Sequence, residues 1–300
     1  MRRAEGLGYR AVYVDGDVSQ IPSLGDTDVL DGWTVTTALL ACTESIEIGS
    51  IRLVNHWHPA RLAQAVATLE RIAPGRLRFL ISIGGQQGDR RFGLEVPPAR
   101  DRVDWLDETL AAVRALWRGE EVTSRGRFFE LRGARVRPVL PAGRPRVAVA
   151  GRGTQLLKVV AAHADEWDIN LPPIRRRVEA ATADLARACR ELGRAPSSIS
   201  RTMWVFTRPW GDTNDAALRA EFRRLNPWHQ QIPDEELPEA MVTGSPARCR
   251  ERLAEIAERF DLELPVADLS GLDHDAAQRA LDALAPGAEA ELESRFDPAT

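Results

Sequence analysis

The sequence predicts an α/β fold in which short, fully buried parallel strands alternate with longer amphipathic helices, and three observations carry that prediction. First, apolar runs recur along the chain at residues 11–14, 46–53, 77–83, 147–150, 167–170, 203–207 and 264–269. Most are apolar at successive positions rather than alternate ones, as strands covered on both faces are. Second, the stretches between them have helical period. The clearest is 101–118, where Val103, Leu106, Leu110, Val113 and Trp117 recur at steps of three and four. Third, the punctuation falls where helices begin. Pro59 follows His58 at a first helical turn, where its missing N–H costs nothing, and Ser245-Pro246 reads as an N-cap followed by the first helical residue. Seven regular strand-helix steps without an evident topological switch fit one closed barrel better than a doubly wound sheet. With no internal repeat or linker, residues 1–300 read as a single barrel domain. One irregular insertion, 208–238, carries Pro209, Trp210, Pro227, Trp228 and Pro233 after a strand end, the place where barrel enzymes put lids.

Composition narrows the function. A net charge of -4 leaves no basic field for a phosphate backbone, which argues against nucleic acid and for a small organic ligand. Behind Met1-Arg2-Arg3 there is no apolar signal region, and no uninterrupted apolar run approaches membrane-spanning length, so the expectation is a cytoplasmic chain with no membrane partner. Cys42, Cys189 and Cys249 fall in helical stretches with no C-x-x-C spacing and read as reduced, buried thiols. The nucleophile elbow, the P-loop and the H-E-x-x-H zinc motif are absent, so hydrolysis is poorly supported.

Several positions could carry chemistry. Gly151-Arg152-Gly153-Thr154 follows a strand and opens a helix, so its backbone N–H groups could face an anion; a tight turn alone needs the same glycines. Gly84-Gly85 after another strand allows close approach to a flat ring, or is simply a flexible loop. Asn55-His56-Trp57-His58 is the densest polar and aromatic cluster; two histidines at i and i+2 without a third ligand nearby do not make a metal site, and His56 is the better candidate for proton transfer. Arg175-Arg176-Arg177 could meet an anionic tail or face solvent, while His163, His229 and His274 read as surface residues. Trp33, Trp57, Trp204, Trp210 and Trp228 could be core or could wall an apolar pocket. Asp17, Asp168 and Asp268 at strand ends would be the carboxylates of an unrelated hydrolase or isomerase on the same scaffold.

Ordered anchors along almost the whole chain point to a family. They include Ala4-Glu5-Gly6-Leu7-Gly8-Tyr9, Ile46-Glu47-Ile48-Gly49-Ser50, His58-Pro59-Ala60, Pro74-Gly75-Arg76-Leu77, Phe92-Gly93, Leu116-Trp117-Arg118-Gly119, Ala150-Gly151-Arg152-Gly153-Thr154, Ala164-Asp165-Glu166-Trp167 and Thr243-Gly244-Ser245-Pro246. Together they resemble the luciferase-like monooxygenase family, flavin- or F420-dependent oxidoreductases built on a TIM-type (β/α)8 barrel. The resemblance implies reduced FMN or coenzyme F420 as cofactor, with the phosphate at Gly151, Arg152, Gly153 and Thr154. It also implies a backbone bulge at Ser50-Ile51 behind the ring, sometimes with a cis peptide, and His58, Gly84 and Gly85 near the cofactor. A homodimer, and a flavin reductase as partner, would follow.

Two departures matter. The family opens with a strand ahead of the residues that match from Arg3 onward, so the sequence shows seven barrel strands rather than eight; a start assigned about twenty residues late explains this, a rearranged or partner-completed barrel being the rival. Where many F420-using members carry Asp-His, this chain has Asp15-Gly16-Asp17, placing Asp17 at the histidine position as the candidate catalytic residue beside His56. That change puts flavin ahead of F420. It also sustains the alternative of a non-catalytic barrel that binds cofactor or partner without turnover.

Overall fold

The computed structural model describes residues 1–14, 28–85, 87–142 and 144–286. In chain order its helices and strands are α1 (Arg2–Gly6), β1 (Ala11–Val14), α2 (Gly32–Cys42), β2 (Glu47–Leu53), α3 (Pro59–Ile72), β3 (Leu77–Ser82), α4 (Ala99–Trp117), β4 (Val122–Arg125), β5 (Glu130–Ala134), β6 (Val147–Ala150), α5 (Thr154–His163), β7 (Glu166–Asp168), α6 (Arg175–Glu191), β8 (Ser200–Pro209), α7 (Ala216–Leu225), α8 (Leu237–Ala240), β9 (Val242–Gly244), α9 (Pro246–Phe260), β10 (Leu264–Asp268) and α10 (His274–Ala283). Each of the seven expected strands is present, as β1, β2, β3, β6, β7, β8 and β10.

The chain divides into two compact units, Ala11–Asp168 with Ala180–Ser200, and Met1–Arg10 with Ile169–Glu179 and Arg201 onward. In the first, β1, β2, β3, β6 and β7 lie side by side in that order, all parallel. Because side chains alternate across a strand, the register assigns two faces. Ile48, Phe79, Ile81, Val147, Val149 and Trp167 share one and are all fully buried. Phe79 meets the edge of Trp117 on α4 at 5.8 Å, so this is the helix-facing side. Against it pack Leu62 and Val66 of α3 and Leu106, Leu110 and Val113 of α4, the residues whose period predicted that helix. Tyr13, Glu47, Gly49, Arg78, Ala148, Ala150, Glu166 and Asp168 share the opposite face.

The second unit pairs β8 in parallel with both β10 and β9. Arg208, at the end of β8, is almost fully buried. It donates to Glu221 on α7 at 2.8 and 3.1 Å and to the carbonyls of Thr207 at 2.8 Å and Asp268 at 3.1 Å. The first half of the 208–238 insertion is thus tied to the strand it follows.

Three details differ from expectation. An antiparallel hairpin, β4 with β5, stands between α4 and β6; its strands carry only Val122, Leu131 and Ala134 among polar residues and a glycine, so they lack the apolar run that marked the others. Cys42 is exposed near the end of α2, whereas Cys189 and Cys249 are buried. His229 is buried rather than at the surface, in contact with the Trp228 ring, while His274 is exposed. No described helix is long and apolar enough to cross a membrane.

Candidate functional site at the strand ends

The sheet face opposite the helices carries charge in layers. Near the start of the strands, Arg78 donates to Glu47 at 2.7 Å, to Glu166, and through Nε to the Tyr13 hydroxyl at 3.0 Å. A guanidinium so buried is tolerable because its fork meets two carboxylates. Burial pushes the Tyr13 phenol far above its ordinary value, with Arg78 opposing. Tyr13 lies against Gly49, where any Cβ would fall 2.1 Å from the ring, so this glycine makes room for the aromatic side chain.

One layer nearer the strand ends sits Asp168, paired in register with Ala150. It is 4% exposed, and its Oδ1 is enclosed with no hydrogen-bond partner. Burial first, and the charge of Glu166 second, push its carboxyl up to about 8.

Beyond the strands three loops follow. After β6, Gly151 and Gly153 take φ of 153° and 93°. Gly151 donates its N–H to the Asp168 carbonyl at 3.2 Å and receives the Trp167 indole N–H at 2.9 Å. Gly153 precedes α5 and offers no side-chain cap, and Gly153, Thr154 and Gln155 are exposed. The first-turn N–H groups of α5 therefore point outward without a side-chain acceptor, at the positive end of the helix. Thr154 Oγ1 lies 3.5 Å from Asp184, whose charge is offset by Arg187 at 2.7 Å. Arg152 is half-buried and engaged within the protein.

After β2 comes the polar cluster. The Asn55 amide donates to Asp89 at 3.0 Å and to the Glu95 carbonyl at 3.2 Å, which fixes its orientation and leaves Oδ1 buried without a partner. His56 is 4% exposed; its Nε2 lies 3.0 Å from Asp89 Oδ2 without directing the ring N–H at it, and its Nδ1 is also unpartnered. After β3, Gly84 and Gly85 take φ of 64° and 114°. A Cβ on Gly84 would fall 2.3 Å from Asn55 Oδ1, and one on Gly85 2.3 Å from the Arg102 guanidinium. The two glycines are thus required both by conformation and by close packing.

The expected site residues divide accordingly. Ile51 shares the face of Gly49, and His56, Gly84, Gly85, Gly151, Arg152, Gly153 and Thr154 all lie at or beyond the strand ends of this unit. Ser50 faces the other way, its hydroxyl 2.8 Å from Thr36 on α2 and in contact with Arg52, which lies over the Trp33 ring next to Trp57. The Ser50–Ile51 bond is trans; among the described residues the cis peptides are Arg137–Pro138 and Arg144–Pro145. His58 is the N-cap of α3, its Nδ1 accepting the Ala60 N–H at 3.3 Å. In the other unit, Arg176 and Arg177 both grip Glu236. Asp17 lies outside the described residues. Among those described, no three potential ligands gather to hold a metal ion. Sequence reading passed over Asp89, which in Asp89-Arg90-Arg91 looks like a solvated charge run yet is wholly buried.

The sequence profile of the luciferase-like monooxygenases matches residues 1–262. The chain belongs to this family. Among curated luciferase-like relatives, an F420-dependent hydroxymycolic acid dehydrogenase of Mycobacterium tuberculosis is 28% identical over 225 residues, 74% of this chain and 61% of that protein. An F420-dependent glucose-6-phosphate dehydrogenase of Beutenbergia cavernae is 35% identical over 108 residues, 35% of this chain and 32% of that protein. The chain thus spans less than two thirds of the length of these relatives. Among solved structures, an F420-dependent secondary alcohol dehydrogenase in complex with an F420-acetone adduct superposes with a TM-score of 0.78 at 21% identity, covering 95% of this chain and 92% of the other. A long-chain alkane monooxygenase superposes with a TM-score of 0.74 at 15% identity, covering 98% and 82%. At such identities the likeness establishes the fold alone, the α/β barrel type of these neighbours, toward which the strand count leaned and which the family resemblance implied.

Proposed function

We propose that this luciferase-like chain is an oxidoreductase that holds a phosphate-bearing ring cofactor, reduced FMN or coenzyme F420, against a small organic substrate at the strand ends. The observation that carries the reading is the exposed, uncapped start of α5 behind Gly153: outward N–H groups at a positive helix end bind an anion without any further device. Two further features fit a flat polar ring. The Gly84-Gly85 turn admits close approach, and Asn55 Oδ1 is a buried acceptor with no partner of its own. Two curated relatives are named F420-dependent. In the Arg175-Arg176-Arg177 cluster, Arg176 and Arg177 share the single carboxylate of Glu236.

In this reading the amides of Thr154 and Gln155 bind the phosphate, while Asn55 accepts an N–H from the ring and so fixes its orientation. His56, enclosed beside Asp89, is the candidate for proton transfer to or from the substrate. Asp17, at the position of the family's histidine, remains the other catalytic candidate. The bound cofactor supplies hydride transfer, or in the case of reduced FMN oxygen activation.

Titration by fluorescence tests the phosphate contact directly. FMN is expected to bind at least about tenfold more tightly than riboflavin, the worth of one or two charge-assisted hydrogen bonds. If FMN and riboflavin bind equally, and F420 no better than its dephosphorylated core, the start of α5 is not the anchor.

A further inference from the structure

Asp168 is the one residue on the face opposite the helices whose burial lacks an evident structural reason. Its neighbour two positions back, Glu166, is equally buried but is matched by Arg78, whose other donors are spent on Glu47 and Tyr13. Asp168 Oδ1 has no partner at all. Enclosing a polar atom without one is costly, and a carboxylate in such a place gives way to its neutral acid. Beside it in register stands Ala150, whose methyl side chain offers it no hydrogen bond. Its own main-chain carbonyl takes the N–H of Gly151, the first residue of the turn that opens α5. The unpartnered carboxyl is therefore held at the base of the turn to which the phosphate is assigned.

We propose that Asp168 is a ligand-contacting residue, a carboxylic acid that donates a hydrogen bond to an acceptor atom of the bound ring cofactor, a carbonyl oxygen or ring nitrogen. This rests on the cofactor reading given above and names a residue that the family resemblance did not supply. A neutral acid at this point gives the site a preference. It accepts a ring edge that presents a lone pair and disfavours one that presents an N–H. The groups that act on Asp168 set the pH range over which this holds: Glu166 on its own strand and Tyr13 on β1 are coupled to it, Arg78 on β3 and Glu47 on β2 lie on the same sheet face paired with each other, and β6 contributes only apolar side chains. Of these, Glu166 is the one whose charge reinforces the acid form.

The test uses the full chain and two variants, Asp168→Asn, which keeps a donor and cannot ionise, and Asp168→Ala, which removes it. Affinity for FMN and for F420 is measured by fluorescence at pH 6, 7 and 9, without substrate. The proposal expects Asp168→Ala to bind about tenfold more weakly at pH 7. Asp168→Asn should stay within about threefold of the parent and be insensitive to pH, and the parent should weaken from pH 7 to 9. Infrared difference spectra give a readout independent of turnover: an acid carbonyl band, lost in Asp168→Asn, that shifts when cofactor is added to the unmutated protein. If Asp168→Ala binds as tightly as the parent, or that band does not move on binding, Asp168 does not touch the cofactor, while the anchor at α5 stands. If the parent binds neither FMN nor F420 at any pH, the cofactor reading fails and takes this inference with it.

Discussion

Raising the pH should destabilise the folded protein through Asp168, and the sign follows from where its proton sits. In the unfolded chain the carboxyl ionises near its ordinary 3.8; in the folded chain burial holds it up to about 8. Between these values the folded state keeps a proton that the unfolded state has released, so unfolding is increasingly favoured as pH rises. The contribution is fully present below the unfolded value and is lost as pH rises through the folded one. The slope for one such group is about 1.4 kcal/mol per pH unit, so from pH 5 to 8 the loss is bounded by about 4 kcal/mol. Asp168→Asn removes the titration and leaves the shape almost unchanged. Urea unfolding of both proteins, followed by far-ultraviolet circular dichroism, isolates the effect. At pH 5 the two midpoints should lie close together, and by pH 8 the variant should be the more stable by a few kcal/mol. If the difference between the two proteins is the same at pH 5 and pH 8, Asp168 is not held as an acid.

Three further outcomes follow from the same structure. Gly84→Ala, forced to a φ of 64° with its Cβ against Asn55 Oδ1, should cost about 2–3 kcal/mol in denaturant unfolding, from left-handed strain plus a disturbed amide; an unchanged midpoint would show that the turn rearranges freely. Arg78→Met strips Glu47 and Glu166 of their buried partner and should cost about 3–5 kcal/mol, whereas a stability within about 1 kcal/mol of the parent would mean the network is wet. Arg208→Met removes the tie from β8 to Glu221 on α7 and should make the 208–238 stretch the earliest site of limited proteolysis, while cleavage in an unaltered pattern would discount Arg208 as the anchor.

How much of this was legible in the sequence depends on the period of each signal. The strands could be read because short apolar-rich runs recur between the helices, 147–150 being apolar at every position, and α4 because its core stripe repeats at three and four. The β4–β5 hairpin escaped, since Val122 to Arg125 is mostly polar and alternates between half-buried and exposed, leaving no apolar run to read. The glycines of the two turns stood out because only they adopt such φ values without strain. Ser50 was misleading in type: its place beside Gly49 suggests the site, yet strand alternation turns its hydroxyl toward α2. Asn55 and Asp89 meet across 34 positions, a pairing no local motif announces. Asp168 was visible as a strand-end carboxylate, but its enclosure comes from residues far from it in sequence.

The most direct test of the account is a titration of the purified chain with FMN, riboflavin and F420. Saturable micromolar binding of FMN or F420, at least about tenfold tighter than the corresponding form without phosphate, is the predicted result. Binding of neither cofactor, or equal binding with and without the phosphate, would contradict it.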